Sequence, residues 1–152
     1  MDRVEFLSHL FLMMNDTVEH YMSKSPVIIH ENSSLDTAWN MLKNDSFKHL
    51  PVLNDDDEIT GILSSTDVEN LSILFENSQT NINAFLKNLS VKDVMTSKII
   101  SISKEKSVED ANDLLLSIGI RALPVVENGK IIGIISETDI LHYYNEKYKQ
   151  KT

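Results

Sequence analysis

Two short stretches of this chain carry residue types that could do chemistry. They are Gly61-Ile62-Leu63-Ser64-Ser65-Thr66-Asp67 and Gly133-Ile134-Ile135-Ser136-Glu137-Thr138-Asp139. In each, a strand ends, hydroxyl and acid positions follow, and a helix begins. A helix start presents free backbone N–H groups and the positive end of a dipole, both of which attract anions. Thr66 and Thr138 can add a hydroxyl donor to a phosphate. Asp67 and Asp139 carry two acceptor oxygens each, enough to take both hydroxyls of a ribose diol. Carboxylate and phosphate repel, so they must face different parts of one ligand. The same residues also make good helix caps. Ser64 and Thr66 are N-cap types, Thr66 with Glu69 fits a capping box, and a first-turn Asp stabilises a helix by about 0.3–1 kcal/mol with nothing bound. The motif alone leaves capping and ligand binding both open.

A second feature is basic. Lys48-His49 precedes Leu50-Pro51-Val52, and Arg121-Ala122 precedes Leu123-Pro124-Val125. Each cation falls where a helix ends and a hairpin begins. It can serve as a partner for the helix dipole or as an arm for phosphate. Ala122 stands where the other stretch has His49.

Other polar clusters read as structure. Asp55-Asp56-Asp57-Glu58 lacks the spaced ligands and glycine of a calcium loop and fits a solvated turn. His30-Glu31 has no second His at the zinc-helix spacing, and Gly129-Lys130 lacks the earlier glycine of a phosphate loop. No metal site and no catalytic nucleophile–base pair is nominated. Asn15-Asp16-Thr17 and Asn32-Ser33-Ser34 match glycosylation sequons without an export signal to use them. Trp39 lies on an apolar helix stripe and reads as core.

These stretches sit in a chain that contains its own copy. At an offset of 73, Val18 falls on Val91, Met22 on Met95, Ala38 on Ala111 and Leu42 on Leu115, and Leu50-Pro51-Val52 falls on Leu123-Pro124-Val125. Past the Asn54–Glu58 turn the offset becomes 72, and Gly61, Ser64, Thr66 and Asp67 fall on Gly133, Ser136, Thr138 and Asp139. Each copy reads as β-α-β-β-α. A short apolar strand (Val27-Ile28-Ile29; Ile99 to Ile102) is followed by a helix. In the second copy that helix has Ser107 as N-cap and Gly119 as stop; in the first it has Ser34, with Ser46 in place of the glycine. A hairpin comes next, turning at Asn128-Gly129 in the second copy, and a last helix starts near Thr66 or Thr138. One copy of some fifty residues buries too little surface to stand alone. Two packed sheet to sheet with helices outside would suffice.

Residues 3–15 place Val4, Leu7, Phe11 and Met14 on one stripe and predict a helix packed on the core or on a partner. The intervening Glu76–Asn83 reads as a polar loop and Ala84–Leu89 as a short helix. The boundaries are thus 1–15 for the N-terminal helix, 16–75 for the first repeat, 76–90 for the linker, 91–145 for the second repeat and 146–152 for the tail.

Composition narrows the classes. In 152 residues, 41% are apolar and 24% charged, enough for a packed core. The 14 Lys+Arg against 23 Asp+Glu give a formal charge of −9, which argues against nucleic-acid and anionic-membrane partners. No cysteine is present, which excludes disulfides and thiolate sites. No apolar run approaches the roughly 18 residues of a membrane span, and Asp2 and Glu5 stand where a signal peptide is positive, so a cytoplasmic protein is expected.

The duplicated pattern resembles the CBS-domain pair, or Bateman module. The Val-x-x-x-Met openings (Val18–Met22, Val91–Met95), the Leu-Pro-Val strands and the Gly-h-h-Ser-x-Thr-Asp endings (h apolar) carry the resemblance over about residues 16–145. It implies an α+β module of two repeats with clefts between them, often dimerised as a disc. It implies binding of adenosine-type ligands such as AMP, ADP, ATP, S-adenosylmethionine or cyclic di-AMP. By position, Asp67 and Asp139 would hold ribose, while Ser64, Thr66, Ser136 and Thr138 would touch phosphate or ribose. Lys48, His49 and Arg121 would reach phosphate, and the base would lie near Val27 and Ile100. The expectation is a non-enzymatic regulatory module with no cofactor, homodimeric, signalling to a separate target protein. The alternative is a ligand-free scaffold for oligomerisation or partner docking.

Overall fold

A computed structural model describes residues 1–14, 16–44, 48–76 and 81–150. In chain order its elements are α1 (Arg3–Met14), α2 (Val18–Tyr21), β1 (Ser23–Lys24), β2 (Ile29–His30), α3 (Leu35–Asn44), β3 (His49–Leu53), β4 (Ile59–Ser64), α4 (Ser65–Ile73), α5 (Ile82–Asn88), a 3-10 turn (Val91–Asp93), α6 (Val108–Ile118), β5 (Ala122–Glu127), β6 (Lys130–Ser136) and α7 (Glu137–Gln150). They form two compact units. One is Pro26–Ile99; the other joins Met1–Ser25 to Ile100–Thr152 and is called here the terminal unit.

In the 26–99 unit, the apolar runs of β3 and β4 pair antiparallel, and β2 adds in parallel to give the order β2-β3-β4. The 3–4 spacing of Leu35, Ala38 and Leu42 buries one stripe of α3 against Leu50, Val52 and Leu63. Trp39 packs at the margin of that cluster, half-buried. Ser34 Oγ accepts from the Thr37 N–H at 3.2 Å at the start of α3; Ser46, expected at its end, lies outside the described residues. The acidic turn is organised by Asn54, whose Oδ1 accepts from the N–H groups of Asp56 and Glu58.

The terminal unit has the sheet order β1-β6-β5. Its core is Val18, Val108, Ala111, Leu115, Leu123, Val125, Ile135, Ile140 and Tyr143. The sequence signals for α6 hold: Ser107 Oγ accepts from the Asp110 N–H, and Gly119 ends the helix at φ 76°. Asn128 and Gly129 both have positive φ, as a two-residue hairpin turn with right-handed strand twist requires.

The first strand of each copy is shorter than its apolar run. Only Ile29–His30 forms in the first copy, and in the second only a single bridge between Ile102 and Val125. Proline explains the stop. The Ile102 N–H donates to Pro124 O, and the Val126 N–H donates to Ile102 O. The next rung back would need an N–H from Pro124, which has none, and Pro51 occupies the matching place in β3.

The units cut across the sequence repeats. The opening of the first repeat, residues 16–25, belongs to the unit that holds most of the second, and the opening of the second, residues 91–99, belongs to the unit that holds most of the first. Val18 N–H donates to Lys106 O, Glu19 N–H to Lys104 O, and Val108 N–H to Asp16 O. At the same offset with copies exchanged, Val91 donates to Ser33, Lys92 to Glu31, and Leu35 to Leu89. Ser23 then pairs with Ile134 in β6, while Thr96 pairs with Ile62 in β4.

α1 forms where expected, and its described side chains, up to Leu10, do not pack on the core. Residues 1–10 are all exposed, with Val4 72% and Leu7 51% accessible. The Phe11 and Met14 side chains of the expected stripe lie outside the described residues, as does Asn15 of the first sequon. Among the described residues no helix is long and apolar enough to cross a membrane.

Candidate functional site

Hairpin register brings the two chemical features of each copy together. In the 26–99 unit His49 pairs with Ser64 across β3 and β4, and the Ser65 N–H donates to Lys48 O at 2.9 Å. The cation at the start of β3 therefore adjoins the hydroxyl-rich start of α4. Ser64 keeps an extended backbone and is the N-cap: its Oγ accepts from the Asp67 N–H at 3.1 Å, and Asp67 Oδ2 accepts from the Ser64 N–H at 2.9 Å. The expected capping pair of Thr66 and Glu69 is therefore corrected to Ser64 and Asp67. The helix already begins at Ser65, which puts Thr66 inside the first turn, exposed.

The terminal unit repeats the arrangement with changed chemistry. Ala122 pairs with Ser136, and the Glu137 N–H donates to Arg121 O at 3.0 Å. Asp139 Oδ2 accepts from both the N–H and the hydroxyl of Ser136, at 2.8 and 3.1 Å. Thr138 is exposed, and Arg121 Nε lies 3.9 Å from Glu137 Oε1.

Both aspartates thus act as caps, as their residue type allows. Each uses Oδ2 alone, and Oδ1 has no partner among the described residues. A carboxylate in this state can hold its helix and still accept a hydroxyl from a ligand. Val27 and Ile100 stand close to these ends. Continuing the parallel register two residues back from Ile29–Val52 and Ile102–Val125 sets Val27 level with Leu50 and Ile100 level with Leu123. Val27 is 47% exposed, while Ile100 is half-buried against its own core.

One feature of the terminal unit had no sequence signal. An open groove of about 610 Å³ runs between the 101–103 segment and α6, lined by Ser101, Ser103, Lys106, Leu114 and Ser117 among others. None of the sequence-nominated residues lines it. Among the described residues no group of three or more His, Asp or Glu could hold a metal ion.

The CBS-domain family model matches twice, at residues 18–72 and 91–146. The chain belongs to the CBS-domain family. This CBS-domain pair is 27% identical over 143 residues to an uncharacterized protein of Methanocaldococcus jannaschii, covering 78% of this chain and 85% of that one. It is 30% identical over 124 residues to the homoserine O-acetyltransferase of Methanococcus vannielii. That match covers 81% of this chain and only 24% of the enzyme, so the pair spans about a quarter of the transferase's length. Among solved structures, CBSX2 in complex with AMP superposes with a TM-score of 0.72 at 26% identity, covering 87% of this chain and 98% of that one.

Proposed function

We propose that this CBS-domain pair is a regulatory module that binds an adenine nucleotide or related adenosyl ligand and signals to a separate protein. One observation carries the reading: in both copies a cation and a Ser/Thr/Asp helix start lie side by side at one end of a hairpin. CBSX2, which is similar in fold and sequence, holds AMP. Asp67 and Asp139 would take the ribose diol through Oδ1. Ser64, Thr66, Ser136 and Thr138 would supply hydroxyls to ribose or phosphate, and Lys48, His49 and Arg121 would meet phosphate. Val27 and Ile100 would flank the base. No residue is assigned a catalytic role. Binding would regulate by population shift, which requires different affinity for two arrangements of the protein.

We further propose a homodimer. Leu116 and Ile118 on α6 and Leu141, Tyr144 and Tyr148 on α7 leave apolar surface exposed in the terminal unit. The second reading, a ligand-free docking scaffold, is favoured by exposed Val4, Phe6, Leu7 and Leu10 on α1. Thermal melting with AMP, ATP and cyclic di-AMP separates the two. A ligand at about 100 times its dissociation constant adds roughly 2.7 kcal/mol. A shift with one of them supports the sensor, and no shift with any supports the scaffold.

A further inference from the structure

The two constellations share a backbone and differ in charge. Lys48 answers to Arg121, His49 to Ala122 and Ser65 to Glu137, while the flanking Ser, Thr and Asp are kept. Ser65 and Glu137 fill the same place: each is the first residue of its helix, and each gives its N–H to the carbonyl of the cationic residue. In the 26–99 unit the side chain at that place is a hydroxyl, and Lys48 has no carboxylate partner among the described residues. In the terminal unit it is a carboxylate 3.9 Å from the Arg121 guanidinium. Lys48 with Asp67 sums to zero, whereas Arg121 with Glu137 and Asp139 sums to −1.

We propose that the two constellations select by ligand charge. The 26–99 unit favours an adenosine ligand with a di- or triphosphate tail. The terminal unit favours one whose 5′ substituent is uncharged or cationic. The proposal rests on the adenosine-ligand reading above. An anionic tail reaching Arg121 must displace Glu137 or lie beside it. Two like charges about 4 Å apart near a protein surface repel enough to shift affinity roughly tenfold. A ligand without phosphate does not meet that repulsion, and a cationic one gains from it. The imidazole of His49 has no counterpart in the terminal unit, where Ala122 stands.

Calorimetric titration of adenosine and ATP into the wild type, Glu137→Ser and Ser65→Glu tests this. Both positions are the first residue of a helix, where Ser and Glu are each tolerated, so both variants should fold. The expected wild type binds ATP at one strong and one weak site. Glu137→Ser should tighten the weak ATP site about tenfold and move adenosine by less than about twofold. Ser65→Glu should weaken the strong ATP site by a similar factor. Nucleotide binding whose ATP-to-adenosine ratio is unchanged in both variants overturns the charge selection and spares the adenosine reading. A wild type that binds neither adenosine nor ATP overturns both.

Discussion

Met22 fills the space that a side chain on Gly133 would need. A Cβ there would lie 2.6 Å from Met22 Sδ and 2.8 Å from Ser23 O. Met95 stands in the same relation to Gly61, with its sulfur closer still and Thr96 O at 2.9 Å. The glycine of each Gly-h-h-Ser motif is thus explained by the methionine of the other copy's Val-x-x-x-Met opening. Close approach is the reason, since neither glycine has a positive φ.

Gly133→Ala and Gly61→Ala should each destabilise the protein by about 1–3 kcal/mol, the usual penalty for overpacking. Met22→Ala should rescue Gly133→Ala only in part, because the backbone carbonyl of Ser23 remains in the way. Urea denaturation of the single and double variants measures this. Unchanged midpoints in both glycine variants would show that the crossing segments do not pack as described.

Asp139→Ala should act on both stability and binding. Removing a cap that accepts two hydrogen bonds should lower stability by about 1 kcal/mol. If Oδ1 also holds ribose, adenosine affinity at the terminal unit's site should fall more than about tenfold. Loss of stability with affinity intact would leave Asp139 as a cap and nothing more.

Lys48→Ala and Arg121→Ala should differ. Lys48→Ala should reduce ATP affinity more than adenosine affinity. Arg121→Ala should change the ATP-to-adenosine ratio less, because Glu137 already offsets its charge. Equal ratios in the two variants would contradict distinct phosphate environments.

The end of α7 is tied to the lead-in segment by ionisable groups. Lys147 Nζ lies 2.6 Å from Asp16 Oδ2, and Tyr21 OH donates to Glu146 at 2.7 Å. Hydrogen bonding to Asp16 first, and to Tyr143 second, raises the Lys147 pKa above its usual 10.5. Burial first, then the Glu146 bond, raises Tyr21 above its usual 10.0. A raised folded pKa gives stability that is whole below the unfolded value and lost as pH climbs through the folded one. Stability should therefore hold to about pH 10 and decline above it. Tyr21→Phe and Lys147→Met should flatten that decline. Circular-dichroism melts between pH 8 and 12 test it, and an identical alkaline decline in the variants would remove these groups as the cause.

Deleting residues 1–10 should change stability by less than about 0.5 kcal/mol, since these residues bury no side chain. Light scattering on the same truncation tests the scaffold reading. A changed oligomeric state would assign α1 to a partner surface.

Much of this protein was legible in the chain. The duplication, the α6 cap at Ser107 and stop at Gly119, and the Asn128-Gly129 turn are local signals, written in residues that touch each other. So are the cations and aspartates of the constellations, whose adjacency the hairpin register then supplied. Which hydroxyl caps α4 was not legible, because Ser64, Ser65 and Thr66 are all competent and the strand's end decides among them.

Tertiary structure alone decided where the openings go. The bonds from Val18 to Lys106 and from Val91 to Ser33 join segments far apart in sequence, and no local preference encodes them. A repeat read along the chain does not say which copy's helix and hairpin receive each opening. In the fold, each lead-in satisfies its backbone groups and buries its valine against the other copy's helix and hairpin. The match between a glycine's empty space and a distant methionine becomes visible only once the chain has folded.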